Sequence, residues 1–114
     1  MIFIIDDDKI FADCIKKVCG EKSVKIFSNA IDAMSEIDIE IPELIFLDIL
    51  LDGPDGFTFL NELASYQDTA KIPIVIVSSL KLEANLESYG VVGVLNKDKM
   101  YPKEVKYYVE KYTS

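Results

Sequence analysis

Acidic residues follow two apolar runs of the sequence, and their placement points to chemistry at the ends of strands. Asp6 and Asp7 come directly after the apolar run Ile2–Ile5. Asp48 comes directly after the run 44–47. In an open parallel sheet of order 2-1-3-4-5, the first and third strands are neighbours at the switch point, so the three carboxylates should meet there. Like charges about 4 Å apart repel by about 4 kcal/mol at an effective dielectric constant near 20, and the cluster therefore requires a cation. A small set of hard oxygen ligands, completed by water, favours Mg²⁺ over zinc or a full calcium cage.

A hydroxyl group and an ammonium group follow the next two predicted strands. Ser78 comes after the apolar run 74–77, and Lys97 comes shortly after the run 91–95. Taken singly, each has an ordinary interpretation, Ser78 as a strand-end hydroxyl and Lys97 as a solvated lysine. Together with a metal and a carboxylate nucleophile, they supply the charge stabilisation and positioning that phosphoryl transfer requires. Their joint placement favours a phosphoryl-transfer site.

Composition excludes several other kinds of site. The sequence contains no Arg and no His, so His–Asp catalysis, imidazole metal sites and guanidinium binding of phosphate are absent. The formal net charge of −8 argues against direct binding of nucleic acid. Cys14 and Cys19 lie five residues apart in a predicted helix, a spacing that fits neither a zinc pair nor a disulfide framework. We expect both cysteines to be small buried residues in a reducing compartment.

The sequence predicts a cytoplasmic location without membrane contact. The apolar run at the start, Met1 to Ile5, is too short for the hydrophobic region of a signal peptide. No other apolar run approaches the roughly 20 residues of a membrane-spanning helix. A location in the cytoplasm is therefore our expectation.

Two hydrophobic periodicities alternate along the 114 residues, a length that suits one domain. Short, largely apolar runs predict strands at 2–5, 24–27, 44–47, 74–77 and 91–95, and the all-apolar run 2–5 predicts a strand buried on both faces. Helical spacing predicts helices between them, including a short one through Leu82, Leu86 and Tyr89, and a last one that begins near Pro102. The predicted fold class is α/β, a single doubly wound five-stranded parallel sheet in the order 2-1-3-4-5. This is the flavodoxin-like (βα)₅ arrangement, with helices on both faces.

Five segments, in order and in register, resemble the receiver domain of two-component response regulators. They are residues 4–8, 42–48, 53–57, 73–79 and 90–97. Because the resemblance covers essentially the whole chain, we expect residues 1–114 to form one receiver domain. The sequence does not decide between a stand-alone receiver and a piece of a larger regulator or hybrid kinase.

The resemblance implies a phosphoacceptor and a metal site. Asp48 would be the residue that is modified, by attacking the phosphohistidine of a sensor histidine kinase or phosphotransfer protein and forming an acyl phosphate. Asp7 and Asp48 would bind Mg²⁺ directly, joined by the backbone carbonyl of Leu50. Asp6 would act on the same Mg²⁺ through water.

The resemblance also implies a switch. Ser78 would donate its hydroxyl to the phosphoryl group, and Lys97 would pair with the phosphoryl oxygens. The domain would then catalyse only its own phosphorylation and dephosphorylation, and phosphorylation would bias a face that binds an unknown output partner or effector domain. A homodimer is also compatible with the resemblance.

Four features depart from the pattern of the family and keep one alternative open. Asp52 and Asp98 stand where prolines are usual, and Val94 stands where Tyr or Phe is typical. The interval from Ser78 to Lys97 is about three residues shorter than expected, so the helix before the fifth strand should have lost a turn. The alternative is a receiver-like protein-interaction module that works without phosphorylation.

Overall fold

Strands and helices alternate in the computed structural model, which describes residues 1–50, 56–79, 87–99 and 102–114. The elements in these ranges are β1 Ile2–Ile5, α1 Lys9–Cys19, β2 Val24–Phe27, α2 Ala30–Ile37, β3 Leu44–Asp48, α3 Gly56–Ala64, β4 Ile74–Ser78, a 3₁₀ turn at Glu87–Tyr89, β5 Val91–Asn96 and α4 Pro102–Tyr112. The first two strands have the predicted bounds. The other three extend one residue beyond the predicted apolar runs, so β3 includes Asp48 and β4 includes Ser78.

The five strands form one parallel sheet in the order β2-β1-β3-β4-β5, which confirms the predicted topology. The register pairs Ile5 of β1 with Leu47 of β3, so the residues after this pair, Asp6 and Asp48, emerge side by side. In the outer half of the sheet, Ser78 pairs with Asn96. The carboxyl ends of β1, β3, β4 and β5 therefore carry the predicted site residues to one edge of the sheet.

The inner strands β1, β3 and β4 are buried on both faces, as strands that are apolar throughout require, whereas the edge strands β2 and β5 are partly exposed. Ile2 and Ile4 belong to the core that lies under α1 and α4. Phe3 and Ile5 point the opposite way, into the core under α2 and α3. The prediction of helices on both faces is confirmed. β1 and β3 therefore lie between two hydrophobic cores, one on each face of the sheet.

The helix ends follow from local sequence. The Asp8 carboxylate accepts a hydrogen bond from the Phe11 N–H at 3.1 Å and begins α1. Gly20 ends this helix in the left-handed region, with φ at +65°, where its N–H donates to the Lys17 carbonyl at 3.2 Å. Asn29 begins α2 by accepting the Asp32 N–H at 2.8 Å. These side chains satisfy backbone groups that have no partner within the helix.

The two cysteines have different environments. Cys19 is buried and Cys14 is exposed, and neither forms a disulfide. The expectation that both are buried was therefore wrong for Cys14. Five helical positions separate side chains by about 140° around the axis, so only one of the two can face the core.

Some predictions concern parts of the chain beyond the described ranges. The predicted turn residues 52–55, including Asp55 as a helix cap, lie outside the described residues, and so do Leu82 and Leu86 of the short helix. Tyr89 is described and ends the 3₁₀ turn before Gly90. Within the described ranges, no helix combines the length and the apolar character that crossing a bilayer requires.

Candidate functional site

Three carboxylates meet at the sheet edge where β1 and β3 end. Asp6 is 2% exposed and Asp48 is 6% exposed, whereas Asp7 is open to solvent. One carboxylate oxygen of each of these three residues lies within 4.8 Å of the others. The strand ends thus bring together the acids that the sequence placed after two apolar runs.

Backbone groups orient the two buried acids. The Asp6 N–H donates to the Phe27 carbonyl at 2.9 Å and continues the β1–β2 ladder by one residue. The Asp6 Oδ1 accepts the Asp8 N–H at 2.9 Å. The Asp48 Oδ1 accepts the Leu50 N–H at 2.9 Å in the same i to i+2 pattern. Such short-range bonds are typical of Asp at a turn, and they hold each carboxylate with one oxygen directed toward its neighbours.

Lys97 connects the two buried acids. Its Nζ lies 3.0 Å from Asp6 Oδ2 and 3.2 Å from Asp48 Oδ2. Its backbone N–H donates to the Ser78 carbonyl at 3.0 Å and keeps the end of β5 against the end of β4. The ammonium is thereby held over the sheet edge, in charge-assisted contact with both carboxylates.

Phe11 on α1 completes the surroundings of this ammonium. The Lys97 Nζ lies 4.7 Å from the centroid of the Phe11 ring, within the range of a cation–π interaction. Sequence reasoning missed this contact, because Phe11 has only the helical spacing of a core residue. No local pattern signals which charged group a ring on one element will meet on another.

Burial and charge act against each other at this site. Burial raises the pKa of Asp6, and it outweighs the opposing effects of the Asp8 N–H and of Lys97. Burial alone would lower the pKa of Lys97, but its hydrogen bonds with Asp6 and Asp48 and their charges raise it overall. Lys97 therefore remains an ammonium ion at neutral pH. Three carboxylates around one ammonium leave an excess of negative charge.

The donor set fits a small divalent cation. All the side-chain donors are carboxylate oxygens, the ligands that Mg²⁺ prefers. The Asp6 Oδ2 is buried and accepts no hydrogen bond from any described group, although Lys97 Nζ lies 3.0 Å away. A buried carboxylate oxygen is costly unless a charge compensates it, and the single Lys97 ammonium, shared with Asp48, offsets only part of the charge of three acids. A cation in the acid cluster would offset the remainder.

Ser78 and Leu50 border the acid cluster. Ser78 is fully buried as the last residue of β4, next to the backbone of Lys97. Leu50 has an exposed side chain, and its observed link to the cluster is the N–H that donates to Asp48. Leu50 thus contacts Asp48 through its backbone, and Ser78 follows Val77, the residue of β4 that pairs with Asp48.

Two departures from the family pattern have a visible structural form. Val94 is exposed on β5. The N–H of Asp98 donates to Asn96 Oδ1 at 2.8 Å, a bond that a proline at this position could not form. The turn after Lys97 is therefore closed by an asparagine side chain.

The fold and the site together define a doubly wound domain with a cluster of acids at its switch point. The response regulator receiver domain family matches residues 2–106, so the chain belongs to that family. Curated relatives share about a third of its residues or fewer. A protein-glutamate methylesterase/protein-glutamine glutaminase 2 from Rhizobium johnstonii is 33% identical over 109 residues, which cover 87% of this chain and 29% of the relative. The DNA-binding dual master transcriptional regulator RpaA from Synechocystis is 32% identical over 82 residues, which cover 69% of this chain and 34% of that protein.

Solved structures share the fold. The receiver domain of NtrX from Brucella abortus has a TM-score of 0.80 at 22% identity, and the match covers 98% of this chain and 97% of that chain. The Mn²⁺-bound form of response regulator Rcp1 has a TM-score of 0.74 at 22% identity, with 96% and 88% covered. In contrast, the chain spans between 31% and 39% of the length of the first curated relatives.

Proposed function

We propose that residues 1–114 act as a phosphoacceptor receiver domain in which Asp48 takes a phosphoryl group from a phosphohistidine. The observation that carries the proposal is the environment of the Asp48 carboxylate. One of its oxygens accepts the Leu50 N–H at 2.9 Å, and the other lies 3.2 Å from the ammonium of Lys97. A carboxylate held in this way is positioned as a nucleophile beside a fixed positive charge. Membership of the receiver family supports the same role.

The proposed transfer forms one bond and breaks one. A carboxylate oxygen of Asp48 attacks phosphorus, a P–O bond forms, and the P–N bond to the imidazole breaks with its electron pair left on nitrogen. Lys97 pairs with phosphoryl oxygens as charge builds on them, and the Ser78 hydroxyl donates to the transferred group. Fixed partners contribute to the rate because they need no rearrangement during the reaction.

We propose that Mg²⁺ is held directly by Asp7, Asp48 and the carbonyl of Leu50, with Asp6 acting through water. When bound, the cation shields the incoming phosphoryl oxygens from the carboxylates around them. The excess of carboxylates over the single Lys97 ammonium and the all-oxygen donor set support this assignment. The Mn²⁺-bound form of the structural relative Rcp1 is consistent with a divalent cation in this fold.

Receiver domains act between a phosphate donor and an output, and we propose the same for this chain. The donor is a sensor histidine kinase or a phosphotransfer protein in the cytoplasm, and the output is a partner protein or an attached effector domain. The relatives include methylesterases and transcriptional regulators, and the match covers 31% of one methylesterase and 34% of the regulator RpaA. Since one relative, RpaA, is named as DNA-binding, the absence of direct contact with nucleic acid stays a prediction from the charge of −8. Homodimer formation likewise stays a prediction.

Intact-mass measurement after incubation with phosphoramidate and Mg²⁺ tests the proposal. We expect one added phosphoryl group on the wild type and none on Asp48→Asn. The variant Asp13→Asn is a matched control, since it removes the same charge from an exposed position of α1 and should be phosphorylated normally. Hydroxylamine should remove the adduct from the wild type, because an acyl phosphate reacts with this nucleophile.

The alternative function predicts a different outcome. If the wild type binds Mg²⁺, as followed by amide chemical shifts of residues 6–8 and 48–50, but gains no phosphoryl group, the chemistry proposed for Asp48 is wrong. The receiver-like module that works without phosphorylation would then be the better interpretation. The exposed Val94 is the feature of this chain that favours that alternative.

A further inference from the structure

A groove runs between α2 and α3, away from the acid cluster. It consists of two adjoining cavities with volumes of about 330 and 420 Å³. Met34, Asp38 and Glu62 line both cavities, which makes them one continuous depression. None of the residues assigned to the acid cluster lines either cavity.

The groove exposes large apolar side chains at its ends. Ile31 is 59% exposed and lines the first cavity. Ile39 is 79% exposed and Tyr66 is 63% exposed, and both line the second. Single exposed apolar residues are common, but several of them around one depression are typical of a surface that binds another molecule.

The rim of the groove carries one sign of charge. Asp38 and Glu62 are exposed where the two cavities join, and Asp68 lies at the far end. Among the described residues that line the two cavities, no lysine balances these acids. An apolar floor with an acidic rim is complementary to a partner that has an apolar stripe flanked by basic residues.

We propose that the α2–α3 groove binds an amphipathic helix of a partner protein whose apolar stripe is flanked by Lys or Arg. A second copy of this chain fits less well, because a two-fold interface would place the acids of one copy against those of the other. Nucleic acid has the wrong sign of charge. Because the groove and the acid cluster share no residue, this docking goes beyond the proposed function and does not depend on phosphorylation of Asp48.

Amide chemical shifts of the isotope-labelled chain, titrated with a synthetic amphipathic helical peptide of leucine and lysine, test this proposal. We expect saturable shifts confined to α2, α3 and residues 38–41 and 66–69, with weaker binding at higher salt. Glu62→Lys should weaken binding by about tenfold, since it replaces an attraction with a repulsion. Glu21→Lys is the matched control, with the same change of charge at an exposed site outside the groove.

A second variant separates the apolar contribution from the charge. Ile39→Asn changes a side chain that is mostly in solvent, so the fold should persist while peptide binding weakens. Three results would each overturn the proposal: shifts spread over the whole surface, equal weakening by Glu21→Lys, or equal binding of a peptide with glutamate in place of lysine. Groove shifts that grow with protein concentration in the absence of peptide would assign the groove to a second copy and overturn it as well.

Discussion

Gly93 is the residue of β5 at which a single methyl group should have the largest effect. A Cβ atom at this position would overlap the Oη and Cζ atoms of Tyr108 and lie 2.7 Å from its Cε1, closer than the 3.0 Å that real Cβ atoms respect. The strand pairing also shifts here, because Ile74 pairs with Val91 whereas Val75 pairs with Gly93. Glycine next to an irregular pairing allows the Tyr108 ring of α4 to lie directly on the strand.

The magnitude follows from the displacement of that ring. Gly93→Ala must move Tyr108 away from Tyr107 and Tyr112, whose ring centroids lie 5.2 and 6.4 Å from its own. Overpacking in a close-packed core costs about 1 to 3 kcal/mol, and because the half-buried Tyr108 ring can move toward solvent, we take about 2 kcal/mol as the upper bound here. An unfolding entropy of about 2.1 cal/mol/K per residue gives about 240 cal/mol/K for this chain, so a loss of about 2 kcal/mol lowers Tm by about 8 °C.

A double-mutant cycle in thermal unfolding distinguishes this cause from a general effect on the strand. In the Tyr108→Ala background the obstacle is gone, and Gly93→Ala should become neutral or stabilising by up to about 1 kcal/mol, because alanine loses less backbone entropy than glycine. The effect of Gly93→Ala on stability should therefore be destabilising with Tyr108 present and neutral or stabilising without it. Equal destabilisation by Gly93→Ala in both backgrounds would refute the reasoning.

Further predictions concern the buried acid, the thiols and a helix cap. In buffer without divalent cations, Asp6→Asn should raise the free energy of unfolding in urea at pH 7. Burial raises the pKa of Asp6 in the folded protein, so the gain in stability should vanish as pH falls through that raised pKa and below 3.8, where Asp6 is protonated in both the folded and the unfolded wild type. A variant that is less stable than the wild type at pH 7 would contradict this. Cys14 should react with a thiol reagent in the folded protein, whereas Cys19, whose pKa burial raises, should react only on unfolding; two equal rates would contradict this burial pattern. Asn29→Ala should cost about 1 kcal/mol in urea unfolding, because it removes the acceptor of the Asp32 N–H, and an unchanged midpoint would show that the cap is unimportant.

The fold could be predicted almost residue by residue where the local pattern has a single interpretation. The run at β1 matches its predicted bounds, because a strand buried on both faces is apolar throughout and ends abruptly at polar residues. The bounds of β2 also match, although this strand contains Lys25 and is partly exposed. The predicted ends of β3 and β4 are one residue too early, because Asp48 and Ser78 are polar but still pair within the sheet. A polar residue at a strand end looks like the start of a loop, and only the neighbouring strand shows that the ladder continues.

The candidate site divides in the same way. The sequence by itself determined that Asp6, Asp7 and Asp48 would converge, because parallel strands bring their carboxyl ends to one edge whatever the details of packing. Only the tertiary structure decided that the Lys97 ammonium lies between two carboxylates and beside the ring of Phe11.

The contact of Tyr108 with β5 and the groove between α2 and α3 were likewise decided only by the tertiary structure. These features depend on how helices that are distant in sequence pack across the sheet, and on which side chains remain uncovered when they do. Hydrophobic periodicity records which face of each helix is buried, but it carries no information about the partner that the exposed face will meet.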